Sequence, residues 1–407
     1  MQMAVTSIKV PEPNLTPDAV IARAREMVPM LRAQQAECER AGRVLDSTNE
    51  QFVKAGFYRL VQPRRFGGYE FDIPTYHRVM IEIARGCPSS GWVLALTAGH
   101  PIILARFGER AQLEAYGRDG EFRAPATAAP AIVTADGDGY RVKGFWDYAS
   151  GCDIGTHFIA PGLIPASNGK PLRGVLMLLQ SGHYRIIDNW EVFAMKGTGS
   201  KRIAIEEEIT VPAYRVVEGG LGDDPPVGKV LEGLENPLYH GLLGPFLVGE
   251  GTAVAVGIAR GAIDIYEEML ADKATNFPPF VKRGHTQEYQ QHLGRAYALV
   301  DAAEAALLKF GEDYIGLCAR RMQDAAAFSD ETQRRLVLRL QECINQCWEA
   351  VDLLFTTGGT ANGRSDSMLG RYFRDLAMMR THIVFQHART AANFGALRMG
   401  QPPRSPF

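Results

Sequence analysis

The 407-residue chain has no excess of one charge. Its 44 Lys and Arg stand against 46 Asp and Glu, for a net charge of −2. The basic residues are scattered, so no face is marked out for nucleic acid or an anionic membrane. An uninterrupted apolar run of the roughly 18 residues that a membrane span needs is lacking. The opening MQMAVTSIKVPEPNLTPDAV has no basic start followed by an apolar stretch. A cytoplasmic location, no membrane partner and a small-molecule substrate are expected. Cysteine is sparse: Cys343 and Cys347 lie one helical turn apart, and Cys38, Cys87, Cys152 and Cys318 stand alone. That is not metal-ligand spacing, and it reads as six reduced, buried thiols. No G-x-G-x-x-G follows a strand pattern, so the chain carries no nucleotide fold of its own for NAD(P)H. Neither Asp nor Glu occurs anywhere in 376–407.

What is present falls into three textures. Helical spacing of Val20, Ile21, Ala24, Met27, Val28 and Leu31 predicts an amphipathic helix over 16–38, with Thr16 and Pro17 as cap and first residue. Shorter helices are expected over 49–55 and 74–85. The almost wholly apolar stretch 89–107, interrupted by His100, predicts a core helix. From Phe122 the pattern changes to period two, in short runs bounded by Gly and Pro, which predicts a β region ending near Val217. A Gly- and Pro-bearing crossover follows, and then four long periodic segments (243–273, 285–324, 330–356 and 366–398) read as a helical bundle. The expected class is α+β: an N-terminal helical domain (1–120), a middle β domain (121–220) and a C-terminal four-helix bundle (235–407). The stretch YRVKGFWDYASG (140–151) reads as a strand ending in a small Ser150–Gly151 turn, where a backbone or a flat ligand can come close.

Five segments in this order resemble the acyl-CoA dehydrogenase family: RRFGGYEFD, GYRVKGFWDYASG, MKGTGS with VPAYRV, TGGTANG and the RYFRD helix. The resemblance covers nearly the whole chain and implies that family's fold, which hosts two chemistries. The dehydrogenases use a glutamate base shortly after the RD helix; here that region holds His382 and no carboxylate, although a base on another helix stays open. The other branch is the oxygenase component of two-component flavin monooxygenases, such as the p-hydroxyphenylacetate hydroxylases and the hydroxylases of the phenolic steroid intermediate in sterol breakdown. Trp92, His100, Ser150 and His382 match it in more detail. That resemblance implies reduced FMN, or FAD, delivered by a separate NAD(P)H:flavin reductase. It also implies O2 as co-substrate, an oxygenated flavin at C4a, a phenolic or other aromatic substrate, and a homotetramer or dimer. Oxidation of nitrogen or sulfur by the same branch stays open.

The residue types suit this chemistry. An apolar wall with Trp92 keeps the oxygenated flavin dry. The Ser150 hydroxyl or a neighbouring backbone N–H is suited to bond flavin N5. A histidine titrating near neutrality is suited to accept a phenol proton; His100 is the candidate for substrate contact and His382 for the peroxide. Thr198 and Ser200 are expected near the flavin ring. Gly358, Gly359 and Thr360, with Arg283, are expected at its phosphate, across a subunit interface by the resemblance. The variable pocket wall is expected from 217–245, including Tyr239 and His240. Each residue has a plainer reading: core histidines bonded to backbone, a core tryptophan, turn chemistry at Ser150 and GTGS, and an exposed loop cation at Arg283.

Overall fold

The computed structural model describes residues 7–166, 171–221 and 234–403. Helices α1 (Pro17–Ala41), α2 (Asp46–Lys54), α3 (Ile73–Gly86), α4 (Pro88–Gly99), α5 (Pro101–Leu104) and α6 (Glu109–Tyr116) come first. α1 starts as its sequence predicts: the Thr16 hydroxyl accepts the Ala19 N–H, and Pro17 occupies the first turn. It buries Val20, Ile21, Ala24, Val28 and Leu31. The apolar stretch 89–107 is two helices rather than one. Pro101 lacks an N–H and crowds the preceding turn, so α4 ends at Gly99 and the chain turns at His100 before α5.

Strands β1 (Ala131–Asp136), β2 (Gly139–Ala149), β3 (His157–Ile164), β4 (Arg173–Gln180), β5 (Arg185–Ile187), β6 (Lys201–Pro212) and β7 (Val216–Glu218) form a sheet in the order β5-β6-β2-β1-β3-β4-β7. All pairings are antiparallel except β1 with β3. One face of the sheet carries its own apolar core around Trp146, Phe158, Val142, Met177 and Ile203, while Ile159, Leu176 and Leu178 join the large core of the helices. Pairing of β2 with β6 slips between Trp146 and Ala149, and Tyr148 lies there at φ 69°. The irregularity brings the strand's end, Ser150, back toward the helices.

Helices α7 (Leu243–Asp272), α8 (Gln287–Arg321), α9 (Asp330–Gly358), α10 (Met368–Met379) and α11 (His387–Arg398) complete the chain. By length and composition α7 could cross a membrane, contrary to the sequence expectation. Its apolar window is 89% buried, however, and it packs on α3, α4, α8, α9 and α10. The expected fourth bundle segment, 366–398, is broken. The Thr381 hydroxyl donates to Met378 O and the His382 ring accepts the Val384 N–H, so side chains take over backbone partners and a 3-10 turn (Ile383–Phe385) separates α10 from α11. The six cysteines are free and buried, as expected.

Candidate functional site

The end of β2 meets α4 and the start of β6 through a chain of side-chain hydrogen bonds. Trp92 Nε1–H donates to Ser150 Oγ (3.0 Å), Ser150 Oγ lies 2.7 Å from Ser200 Oγ, and Ser200 Oγ lies 2.7 Å from Thr198 Oγ1. The Thr198 hydroxyl donates to Met195 O (2.8 Å). All four side chains are buried. Behind them, the buried Asp375 carboxylate of α10 accepts the Met195 N–H (2.6 Å). Met195 sits at φ 52°, a conformation that costs a non-glycine residue about 1 kcal/mol or more. Burial pushes Asp375 up to about 7. Asp375 was missed as a site residue, although its RYFRD segment was singled out as a motif.

The turn's backbone has no donor to spare at this point. Ser150 N–H is bonded to Tyr148 O (3.0 Å) and Gly151 N–H to Thr198 O (2.9 Å). The expectation that a neighbouring N–H serves flavin N5 is therefore corrected for these two groups; the Ser150 oxygen is what the turn offers. Gly151, at φ 77°, allows the close approach that its sequence predicted: a Cβ there would come within 2.6 Å of Val93 Cγ1 on α4.

Trp92 continues into a wall of rings. His382 meets it edge-on with centroids 5.7 Å apart, and Phe385 does so at 6.2 Å. Phe385 in turn packs where α7 has no side chain, since a Cβ on Gly251 would come within 2.2 Å of its ring. His382 is accessible, and desolvation by the surrounding protein lowers its pKa to about 4. His100 is buried, its Nδ1 lies 2.6 Å from Ala124 O, and desolvation lowers it to about 4 as well. Neither histidine titrates near neutrality, which corrects that expectation.

Their tautomers differ. A carbonyl can only accept, so His100 carries its proton on Nδ1 and keeps Nε2 as an acceptor. A backbone N–H can only donate, so His382, whose Nδ1 accepts it at 3.4 Å, carries its proton on Nε2 and keeps a donor there.

A second group assembles elsewhere. Arg283 is buried rather than an exposed loop cation. It donates to Gly358 O (2.9 Å), Ala274 O (3.1 Å) and Asn276 Oδ1 (3.3 Å), and among the described residues no carboxylate pairs with it. Gly358 and Gly359 lie beside it; Gly359 has φ 98°, and a Cβ on Gly358 would come within 2.1 Å of Asn362 Nδ2. Thr360 is exposed. This group shares no hydrogen bond or ring contact with the Ser150 group. Tyr239 and His240 form a third place: the Tyr239 hydroxyl donates to Val61 O (3.0 Å), His240 Nε2 lies 2.9 Å from Leu234 O, and both residues are buried. Residues 222–233 of the expected 217–245 wall lie outside the described residues.

One further acid was missed. Glu250, on α7, is wholly buried, and burial pushes its carboxyl well above the usual carboxylate range. The Tyr76 hydroxyl, 3.3 Å from Glu250 Oε1, also bonds Ala95 O.

The site fits a flat, redox-active ring. Ser150 Oγ keeps a lone pair, the Gly151 turn lies close to α4, and an aromatic wall carries an accessible N–H donor. The sequence comparisons agree with that fit. Residues 18–119 match the acyl-CoA dehydrogenase N-terminal domain and residues 251–387 the C-terminal domain. The chain is 30% identical over 399 residues to the flavin-dependent monooxygenase oxygenase subunit HsaA of Rhodococcus jostii, covering 93% of this chain and 98% of that protein. It is 27% identical over 413 residues to the FADH(2)-dependent resorcinol hydroxylase oxygenase component of a Rhizobium species, covering 98% of each. The crystal structure of 3-HSA hydroxylase from Rhodococcus sp. RHA1 superposes with a TM-score of 0.87 at 27% identity, over 96% of this chain and 100% of that one.

Proposed function

We propose a function from one premise: this chain belongs to the flavin-dependent monooxygenase oxygenase subunits of the acyl-CoA dehydrogenase fold. It is the oxygenase component of a two-component system that hydroxylates an aromatic, phenolic substrate, with reduced flavin brought by a separate NAD(P)H:flavin reductase. Bound reduced flavin, FMN or FAD, supplies the two electrons with which one atom of O2 enters the ring and the other leaves as water. The observation that carries this reading is the Ser150 turn, backed by a hydrogen-bonded chain and joined through Trp92 to the ring of His382.

The chain's own residues divide the work. Ser150 receives the flavin edge, with Thr198 and Ser200 behind it and Trp92 and Phe385 excluding water. His100 Nε2 accepts the hydrogen bond of the substrate hydroxyl. Its pKa of about 4 lies about 6 units below that of a phenol, a gap of about 8 kcal/mol. Full proton transfer before reaction is therefore unfavourable, and His100 orients the hydroxyl and draws its proton only as the ring is attacked. His382 Nε2–H donates toward the oxygen being activated. Arg283, with backbone groups of Gly358, Gly359 and Thr360, holds the flavin phosphate of a neighbouring subunit in a homotetramer. Tyr239 and His240 shape the far wall of the substrate pocket through packing, with their polar atoms engaged by carbonyls. The three-part division at 1–120, 121–220 and 235–407 and a cytoplasmic location belong to the same reading.

A dehydrogenase would need an ionised carboxylate beside the ring, and burial pushes the Glu250 carboxyl well above the usual carboxylate range. The deciding experiment supplies photoreduced FMN or FAD and O2 to the purified protein with a panel of phenols. Hydroxylated product formed without NADH is expected. Desaturation of an acyl-CoA, with no phenol product, would replace the reading.

A further inference from the structure

The hydrogen-bond chain behind Ser150 has a fixed direction. At one end the Trp92 indole N–H can only donate, and at the other Met195 O can only accept. Each hydroxyl between them has one hydrogen. Thr198 gives its hydrogen to Met195 O, so it must accept from Ser200. Ser200 has then given its hydrogen away and must accept from Ser150. Ser150 thus receives from Trp92 and gives to Ser200, and what remains on its oxygen is one lone pair. Its two nearest backbone N–H groups are already bonded to Tyr148 O and Thr198 O.

From this polarity, and resting on the flavin reading above, we infer that Ser150 is an acceptor toward the flavin and that Ser200 and Thr198 are the positioning residues that make it one. Flavin N5 carries hydrogen when reduced and a bare lone pair when oxidised. An acceptor bonds the reduced N5–H and faces the oxidised N5 lone pair to lone pair. The chain is therefore a selector of oxidation state: it retains reduced flavin and expels the oxidised form, as a component loaded by diffusion requires. Asp375 and Met195 hold the far end in place, since the Asp375 carboxylate accepts the N–H of the residue whose carbonyl terminates the chain.

The test measures equilibrium dissociation constants for oxidised and anaerobically reduced FMN and FAD, without substrate or O2, in the wild-type protein and in Ser200→Ala, Thr198→Val and Ser200→Thr. The wild type is expected to favour reduced flavin. In Ser200→Ala the Ser150 hydrogen has no acceptor behind it and turns to the ring; in Thr198→Val the Ser200 hydrogen is released to run the other way. Both should lose about tenfold of the oxidised-to-reduced ratio, equivalent to about 30 mV in the bound flavin's two-electron potential, while Ser200→Thr keeps the wild-type ratio. A loss of packing alone would weaken both forms together and leave the ratio alone. If the wild type binds reduced flavin and the ratio is unmoved in both Ser200→Ala and Thr198→Val, the polarity argument is wrong while the flavin reading stands. If the wild type binds neither form, both fall. Should Ser200→Ala fail to fold, Thr198→Val decides.

Discussion

His100 and His382 each sit where an apolar helical stretch breaks, between α4 and α5 and between α10 and α11. Both are lowered to about 4 by desolvation, yet their free ring nitrogens are of opposite kind. The buried one, fixed by Ala124 O, offers a lone pair; the accessible one, fixed by the Val384 N–H, offers a proton. At equal pKa, the carbonyl or N–H that each ring meets on its far side decides what it can do. A donor and an acceptor are thereby obtained at neutral pH from two uncharged imidazoles.

The sharpest way to break this comparison is to remove the acceptor. His100→Ala is expected to lower the hydroxylation rate by roughly 10²–10⁴ with reduced-flavin affinity nearly unchanged; single-turnover product formation and a binding titration check it. Next in size, His382→Ala should shift turnover from product to released H2O2 by roughly tenfold, about the worth of one hydrogen bond. His382→Gln, which restores an N–H near Nε2, should recover part of that loss. Identical product-to-peroxide ratios in the two alanine variants would erase the distinction between donor and acceptor.

Arg283→Gln supplies an outside reference. It should weaken flavin binding by several-fold and flatten its salt dependence, while the product-to-peroxide ratio at saturating flavin stays put.

A separate effect is on stability. Both imidazoles have folded pKa values near 4, below the ~6.5 of an unfolded chain. Between these values the unfolded state binds more protons. The contribution of neutral burial is therefore present above about pH 6.5 and is lost as the pH falls toward 4, by at most about 1.4 kcal/mol per pH unit for buried His100. Accessible His382 contributes less. Urea unfolding from pH 7 to 4.5 should show a flatter slope for His100→Gln than for the wild type, with His382→Gln close to wild type.

Much of the fold was legible because it follows local rules: Thr16 before Pro17, helical spacing in α1, period two from Phe122, and a turn at Ser150–Gly151. Pro101 was in view and still did not stop the reading of one helix over 89–107, because apolarity there was unbroken. The second break carried no Gly or Pro and depends on Thr381 and His382 bonding backbone. The Ser150–Ser200–Thr198 chain joins residues about fifty positions apart through β2–β6 pairing, and no local pattern encodes that adjacency. The lowered pKa values of His100 and His382, and the raised one of Glu250, come from tertiary burial, which residue spacing does not report.

One face of the sheet has its own apolar core while Ile159, Leu176 and Leu178 join the core of the helices, and Ser150, Thr198 and Ser200 lie just beyond the end of β2 and before the start of β6. Their hydrogen-bonded chain is fastened to the helices at both ends, by Trp92 of α4 and by Asp375 of α10. Such a double clasp closes only when both bodies are in register. Any sliding of the sheet that opened one fastening would leave a buried indole N–H or a buried carboxylate without its partner, and the Ser150 edge is thereby gauged against the helices each time the protein folds.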